Sequence, residues 1–509
     1  MSPLPQLSIP ISPRPRDSVQ KAFRPTADDL GRRVVNGAAF TFLGIAFRTA
    51  ITVGSMAVLA RLLTPADFGH IAMATVVTEL AAVFANFGFG SILIQKLRIS
   101  RIQIDTMHWS AIGLGMILTV LVFGLSFFAS HLFQDETVGP LLRVMCLSFI
   151  LDELTMAPRS LMARRMQFKL DFYIQSGMLL ARAGTAIGMA LSGFGVWSLA
   201  GGALAGAVVQ TCAYQALTGY WPRLKFSPSF LRSTWVTNGG YFGNGILFYV
   251  NANLDFLLVG RMLGATPLGQ YQNARSLTDE IRVRMVQPLQ RVLFPAFSAI
   301  QNDADRFREG ILRSGRLLAL AFTPMGFGVA AVAPELVRVL YGEQWLPMIP
   351  ILQVISIATA LGAAPSIGSP IFSATNRIGL VFNLHFIQTL LAVAFMLFGS
   401  QWGLMGVAWS RLALAVVGLV FFRISLGLVN MRTPHIWQIM GAPCIAAGLM
   451  WWLLSMAREW VQTWTMSTAA QLGYLIGLGI AFYVVTSLVI SKTHVRDARE
   501  VAAKFRREM

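Results

Sequence analysis

The stretch ARLLTPADFGHIAMATVVTE, residues 60–79, ends one long apolar segment and opens the next. Thr64 suits a helix cap, Pro65 a first helical turn, and Asp67 the positive end of the second helix. Arg61 closes the first helix at an interface. A bilayer crossing needs ~20 apolar residues in a helix, and the segments on both sides of this turn are long enough. Working outward, the pattern recurs to give about fourteen apolar segments: 34–60, 68–95, 106–130, 138–160, 168–192, 194–219, 234–262, 267–300, 311–333, 347–373, 378–399, 402–426, 436–456 and 468–490. Hydrophobic residues make up 55% and charged residues only 13%, with a mean hydropathy of +0.61. The chain therefore reads as an all-α polytopic membrane protein.

The formal net charge of +18 has its origin in the gaps between segments. Every second gap is basic: Lys96, Arg98 and Arg101; Arg159, Arg164, Arg165 and Lys169; Arg223, Lys225 and Arg232; Arg306, Arg308 and Arg313; Arg377; Arg432. The alternate gaps carry only Arg61, Arg261, Arg338 and Arg458, and those near Gln134–Glu136 and Gln401 carry no Lys or Arg. Positive residues stay cytoplasmic and meet anionic membrane lipid there, so both termini are expected inside. No basic domain lies outside the segments, which excludes a nucleic-acid partner. Cys146, Cys212 and Cys444 lie in apolar stretches without metal or disulfide spacing, as small buried hydrophobes would. Residues 1–33, rich in proline and without an apolar core, read as a disordered cytoplasmic tail and not a cleavable signal. Residues 491–509 read as a basic cytoplasmic tail forming a short helix on the membrane surface.

An offset of two hundred residues aligns the opening stretch with GRMLGATPLGQYQNARSLTD, residues 260–279. Arg61/Arg261, Leu63/Leu263, Gly69/Gly269, Ala74/Ala274 and Thr78/Thr278 are identical, and Glu79 meets Asp279. Both stretches join the first and second helices of a six-helix half. An even number of intervening segments preserves orientation, so the halves are expected to be parallel repeats about an axis along the membrane normal. The expected organisation is an N-lobe over 34–219, a cytoplasmic linker over 220–233, a C-lobe over 234–426 and two further helices within 436–490.

These residues carry a resemblance. ARLLTPADFG after the first segment, FGFGSILIQ at 87–95, NANLDFLLVGRMLG at 251–264, LGQYQNA at 268–274 and FPAFSAIQNDADRFREG at 294–310 resemble the Wzx-like polysaccharide-transport family, bacterial flippases for lipid-linked oligosaccharides. The superfamily also contains MATE-type multidrug antiporters and the lipid II flippase. The resemblance implies two six-helix lobes around a central cavity, two C-terminal helices, and an inner-membrane location. It implies a polyprenyl-pyrophosphate carrying a short glycan as substrate, for exopolysaccharide, capsule or O-antigen synthesis. A polysaccharide polymerase, export machinery and a coupling ion, H+ or Na+, are the further partners it suggests.

Ionisable residues inside the segments cost about 2.5–3.5 kcal/mol each on insertion scales and usually face a cavity or a partner. Arg48 and Glu79 lie at matched depth on either side of the first turn. They either pair with each other or meet substrate, and a pair that opens for pyrophosphate serves both roles. The eighth segment carries a polar stripe, Asn273, Ser276, Glu280, Arg284, Gln287 and Arg291, beside a second of Arg275, Asp279 and Arg282. It either lines a wet lumen or projects beyond the bilayer. Asp255 in the seventh segment and Arg182 in the fifth complete the candidate binding set of Arg48, Glu79, Arg182, Asp255, Arg275, Asp279 and Arg282. Asp152 and Glu153 are candidates for ion coupling, although Asp152 could neutralise Arg182.

No exterior gap exceeds about fifteen residues, which leaves little room for the acceptor site of a membrane glycan ligase or polymerase. GxGxxG, P-loop, HExxH and CxxC motifs are absent, so no enzyme activity, cofactor or metal is expected. A MATE-like antiporter of small cations remains the alternative; its pocket would be acidic and aromatic, whereas Arg48 and Arg275 favour an anion.

Overall fold

Hydrocarbon offers backbone groups no hydrogen bonds, so a chain of this composition has to satisfy them within helices. The computed structural model describes residues 30–85, 89–96, 99–300, 303–375, 377–463 and 466–508, and no strand occurs among them. The expected tail falls mostly on residues 1–29, outside the described residues. The first half contains α1 (Leu30–Leu62), α2 (Pro65–Ala85), α3 (Phe89–Gln95), α4 (Arg101–Phe133), α5 (Val138–Met145), α6 (Leu147–Arg164), α7 (Phe168–Leu191) and α8 (Trp197–Thr218). The second half contains α9 (Pro228–Leu263), α10 (Ala265–Ile300), α11 (Ala304–Leu340), α12 (Ile349–Ala363), α13 (Gly368–Ala374), α14 (Ile378–Ser400) and α15 (Gly403–Gly427). Then follow α16 (Thr433–Val461), α17 (Thr468–Ile490) and α18 (Lys492–Glu508).

Among the described residues each of the fourteen apolar segments falls mainly on helix, and eight of the described helical stretches are long and apolar enough to cross a membrane. This is a multi-pass membrane protein. The tenth segment is not one regular helix: 3-10 turns at Glu343–Met348 and Ala364–Ile367 flank α12. Pro347, Pro350 and Pro365 lie at these junctions, and each removes a backbone donor. The fourth segment likewise divides into α5 and α6 at Cys146. Helix α10, at 36 residues, extends about 54 Å, well beyond the ~30 Å of the hydrocarbon core. It is therefore longer than one crossing requires.

Within the first half, α7 packs along α8 and α1, and α4 and α8 pack against α6. Within the second, α11 packs against α12 and α16, and α14 against α15. The main contact between the halves is α2 against α10, the helices opened by the two repeat stretches. A Cβ added at Gly69 would collide with the carbonyl oxygen of Ala265, and one added at Gly269 with that of Pro65. The crossing is reciprocal at the two-hundred-residue offset, as an axis between equivalent surfaces requires.

At this hairpin end the local chemistry is well satisfied. Thr64 and Asp67 cap α2 mutually: Thr64 N donates to Asp67 Oδ2 (2.9 Å) and Asp67 N to Thr64 Oγ1 (3.3 Å). The carbonyl ends of α1 are completed from far along the chain. Trp345 Nε1 (2.8 Å) and Gln344 Nε2 (2.6 Å) both donate to Ala60 O, and Arg61 Nη2 donates to Val339 O (2.6 Å). Trp345 is fully buried and meets Phe68 edge-on, with ring centroids 5.3 Å apart.

At the opposite, linker end, the start of α4 holds the chain between the halves. Arg101 donates to Trp221 O and Trp109 Nε1 to Arg223 O (2.9 Å). Tyr220 donates to Asp105 (2.7 Å), and Ser227 N to Thr106 Oγ1 (3.0 Å). The tail helix α18 forms, but it docks on protein instead of resting on lipid alone. Asp497 pairs with Arg316 at 3.2 Å, Glu500 with Arg313 at 3.1 Å, and His494 Nε2 lies 2.9 Å from Ile439 O. All three cysteines are free; Cys146 is buried as expected, whereas Cys212 is exposed on α8.

Candidate functional site

The turn at Gly264, with φ of 87°, sends α10 back along α9. Asp255 then lies about 12 Å from the hairpin end of α9 and Arg275 about 15 Å into α10, at comparable depth. Arg275 Nη1 donates to both carboxylate oxygens of Asp255, at 2.7 and 2.6 Å. Its Nε donates to Asp279 (2.8 Å) and its Nη2 to Ala252 O (2.6 Å). The guanidinium lies 4.5 Å from the Phe256 ring centroid. Tyr271 donates to Asp255 at 2.6 Å, and Arg411 Nη1 stands 3.6 Å from the same carboxylate. Asp255 is 1% exposed, Tyr271 0% and Arg275 7%. Two carboxylates and two guanidiniums cancel, and Arg275 has nearly all its donors committed. This cluster is a buried, neutral brace for α9, α10 and α15.

Glu79 does not pair with Arg48. Among the described residues no ion pair joins them, and the cation acting on Glu79 is Arg275, across the boundary between the halves. The expectation followed matched depth on one hairpin; the extensive packing of α2 on α10 brings the other cation instead. Asp152 similarly does not neutralise Arg182: the cation acting on it is Arg159, two turns along its own helix.

Arg48 and Arg182 are therefore the unusual residues. Arg48 lies about 21 Å from the hairpin end of α1, and Arg182 about 14 Å from that end of α7. The two helices pack directly. Among the described residues neither arginine has a hydrogen bond or ion pair from its side chain. Arg182 keeps exposed surface although protein surrounds it closely. Glu79 has the same combination. Gly202 and Gly206 of α8 make the placement of Arg182 possible. A Cβ at 202 would sit 2.7 Å from Arg182 O, and one at 206 would sit 3.1 Å from Arg182 Cβ. The small-xxx-small spacing of these glycines was the available sequence signal for that close approach.

The site thus brings Asp255, Arg275, Asp279 and Glu79 together, adds Arg411, and leaves Arg48 and Arg182 separate in the first half. The side chain of Arg282, with those of Glu280, Arg284, Gln287, Arg291 and Asn251, lies outside the described residues. Chemically, the second half supplies a closed charge network and the first half supplies cations with spare donors.

Two halves that cross reciprocally, with charged side chains between their helices, define the class: a two-lobed helical membrane protein. Residues 58–350 match the family described as polysaccharide biosynthesis protein, and the chain belongs to that family. It is 27% identical over 406 residues to the lipopolysaccharide biosynthesis protein WzxC of Escherichia coli (strain K12), covering 77% of this chain and 80% of that one. It is 24% identical over 453 residues to the succinoglycan biosynthesis transport protein ExoT of Rhizobium meliloti (strain 1021), covering 87% and 90%. In fold it is similar to the lipid II flippase MurJ in an inward closed conformation, with a TM-score of 0.73 and 14% identity over 91% of this chain and 100% of the other.

Proposed function

We propose that this protein is a flippase, moving a polyprenyl-pyrophosphate-linked oligosaccharide across the bacterial inner membrane for exopolysaccharide, capsule or O-antigen synthesis. The observation that carries the reading is the pair of arginines that have no counter-ion among the described residues, Arg48 and Arg182, on adjacent helices. Burying such cations is costly unless an anion joins them, and a pyrophosphate is an anion suited to guanidinium forks. The glycan and pyrophosphate need a polar interior because unsatisfied polar groups are expensive in hydrocarbon. The names of the relatives, which concern polysaccharide biosynthesis and transport, support the same substrate class.

In this reading the linker end, where the basic gaps cluster, is cytoplasmic together with both termini. The lobes comprise 34–219 and 234–426, and the glycan lipid enters from the inner leaflet. Polymerase and export machinery would act on the product in the outer leaflet. The test is analysis of lipid-linked intermediates in a deletion strain. Full-length repeat units should accumulate, and Arg48→Ala or Arg182→Ala should fail to relieve the accumulation. A deletion strain with no accumulated repeat units overturns the reading.

A further inference from the structure

Glu153 presents a problem that the pyrophosphate site does not solve. It lies on α6, is 9% exposed, and packs so tightly on α4 that a Cβ at Gly115 would stand 3.0 Å from Glu153 Cγ. Among the described residues its side chain has no hydrogen bond and no ion pair. Its oxygens are nevertheless not sealed, because they are absent from the fully enclosed, unpartnered polar atoms. Among the described residues no cation of a neighbouring element pairs with it. Helices α3 and α8 carry no charged residue. Asp105 and His108 of α4 lie toward the linker end, roughly 10 Å or more along the helix from Gly115. Among the described residues Arg101 on α4, Glu79 on α2, Arg143 on α5, Lys169, Asp171 and Arg182 on α7, and Arg159 on its own helix form no ion pair with it; the charge bearing on it is that of Asp152, a second acid.

A carboxylate held in apolar surroundings next to another acid, without a counter-ion, is stable there only when neutral. Asp152 keeps accessible surface beside it. We propose that Glu153 is a proton-binding site, filled and emptied through Asp152 as the two halves rearrange. The proton taken up from one side of the membrane is the proton given to the other. In coupling transport to a proton gradient this inference rests on the flippase reading; in binding a proton it does not.

The test treats membranes holding the full chain with dicyclohexylcarbodiimide, which modifies protonated carboxyls in apolar sites, over a pH series. Mass spectrometry then locates the adducts. The expected result is an adduct on Glu153 that disappears as the medium becomes alkaline, is lost in Glu153→Gln and persists in Glu153→Asp. Absence of an adduct on Glu153 under acid conditions overturns the site, whatever the protein transports. The second arm follows undecaprenyl pyrophosphate across vesicles with and without a pH gradient. Loss of the gradient response in Glu153→Gln supports coupling; a response equal to wild type overturns it. A wild-type protein that never moves the probe lipid counts against the flippase reading, while the labelling still decides the site.

Discussion

Gly69 and Gly269 face each other's helices in a reciprocal crossing: position 69 meets the carbonyl of Ala265, and position 269 meets that of Pro65. The halves touch there with backbone against backbone, and no side chain can be interposed. We predict that Gly69→Val and Gly269→Val each prevent this approach and abolish polysaccharide export. Export measured against membrane abundance checks this; normal export from either variant would contradict it.

The two arginines, unpaired among the described residues, give the second prediction. Arg48→Ala and Arg182→Ala should lower export about tenfold or more, the loss of one charge-assisted hydrogen bond or two, with normal membrane abundance. Lys at either position should rescue partly, because it retains charge without the bidentate fork. Export measured against protein level by immunoblot separates binding from folding.

The buried brace behaves differently. Asp255→Ala leaves Arg275 and Arg411 without their shared carboxylate, and breaking a buried pair costs about 3–5 kcal/mol. We expect a lowered Tm in detergent and reduced abundance. Arg275→Ala should show the same signature, contrary to the substrate-binding behaviour that its sequence position suggests. A thermal melt of each purified variant checks this.

The difference between these two predictions shows what the sequence could reveal. Hydropathy locates the segments because the bilayer enforces it, and the depth of Arg48, Glu79, Asp255 and Arg275 follows from counting along helices. Which charges meet does not follow. Glu79 and Arg48 share a hairpin, yet Glu79 answers to Arg275 because Gly69 and Gly269 admit α10 against α2. Arg182 looked like a partner for Asp152; its accessibility depends on the glycines of α8. The breaks around α12 were visible as prolines but not as 3-10 turns.

A pH effect is expected at the tail helix. Burial, the first cause, and Arg316 hold His494 below its ordinary value of 6.5, outweighing the hydrogen bond to Ile439 O and Asp497. The neutral ring is thus favoured when α18 is docked. Docking should be at full strength above about pH 6.5 and weaken as pH falls below it, since the released helix binds the extra proton. Hydrogen exchange across residues 492–500 should quicken on acidification in wild type and respond less in His494→Gln.

The indole of Trp345 completes the end of α1 from 285 residues downstream. During synthesis the first hairpin leaves the ribosome long before that donor exists, and Ala60 O must wait at the interface with water or lipid headgroups for its partner. Insertion and final assembly are therefore separate events for this chain. The first helices can enter the bilayer early, but their ends reach native pairing only after more than half of the protein has followed. Nascent chains stalled before Trp345 would hold the opening hairpin in the membrane without its final lock, a window in which insertion machinery and quality-control proteases can act on it.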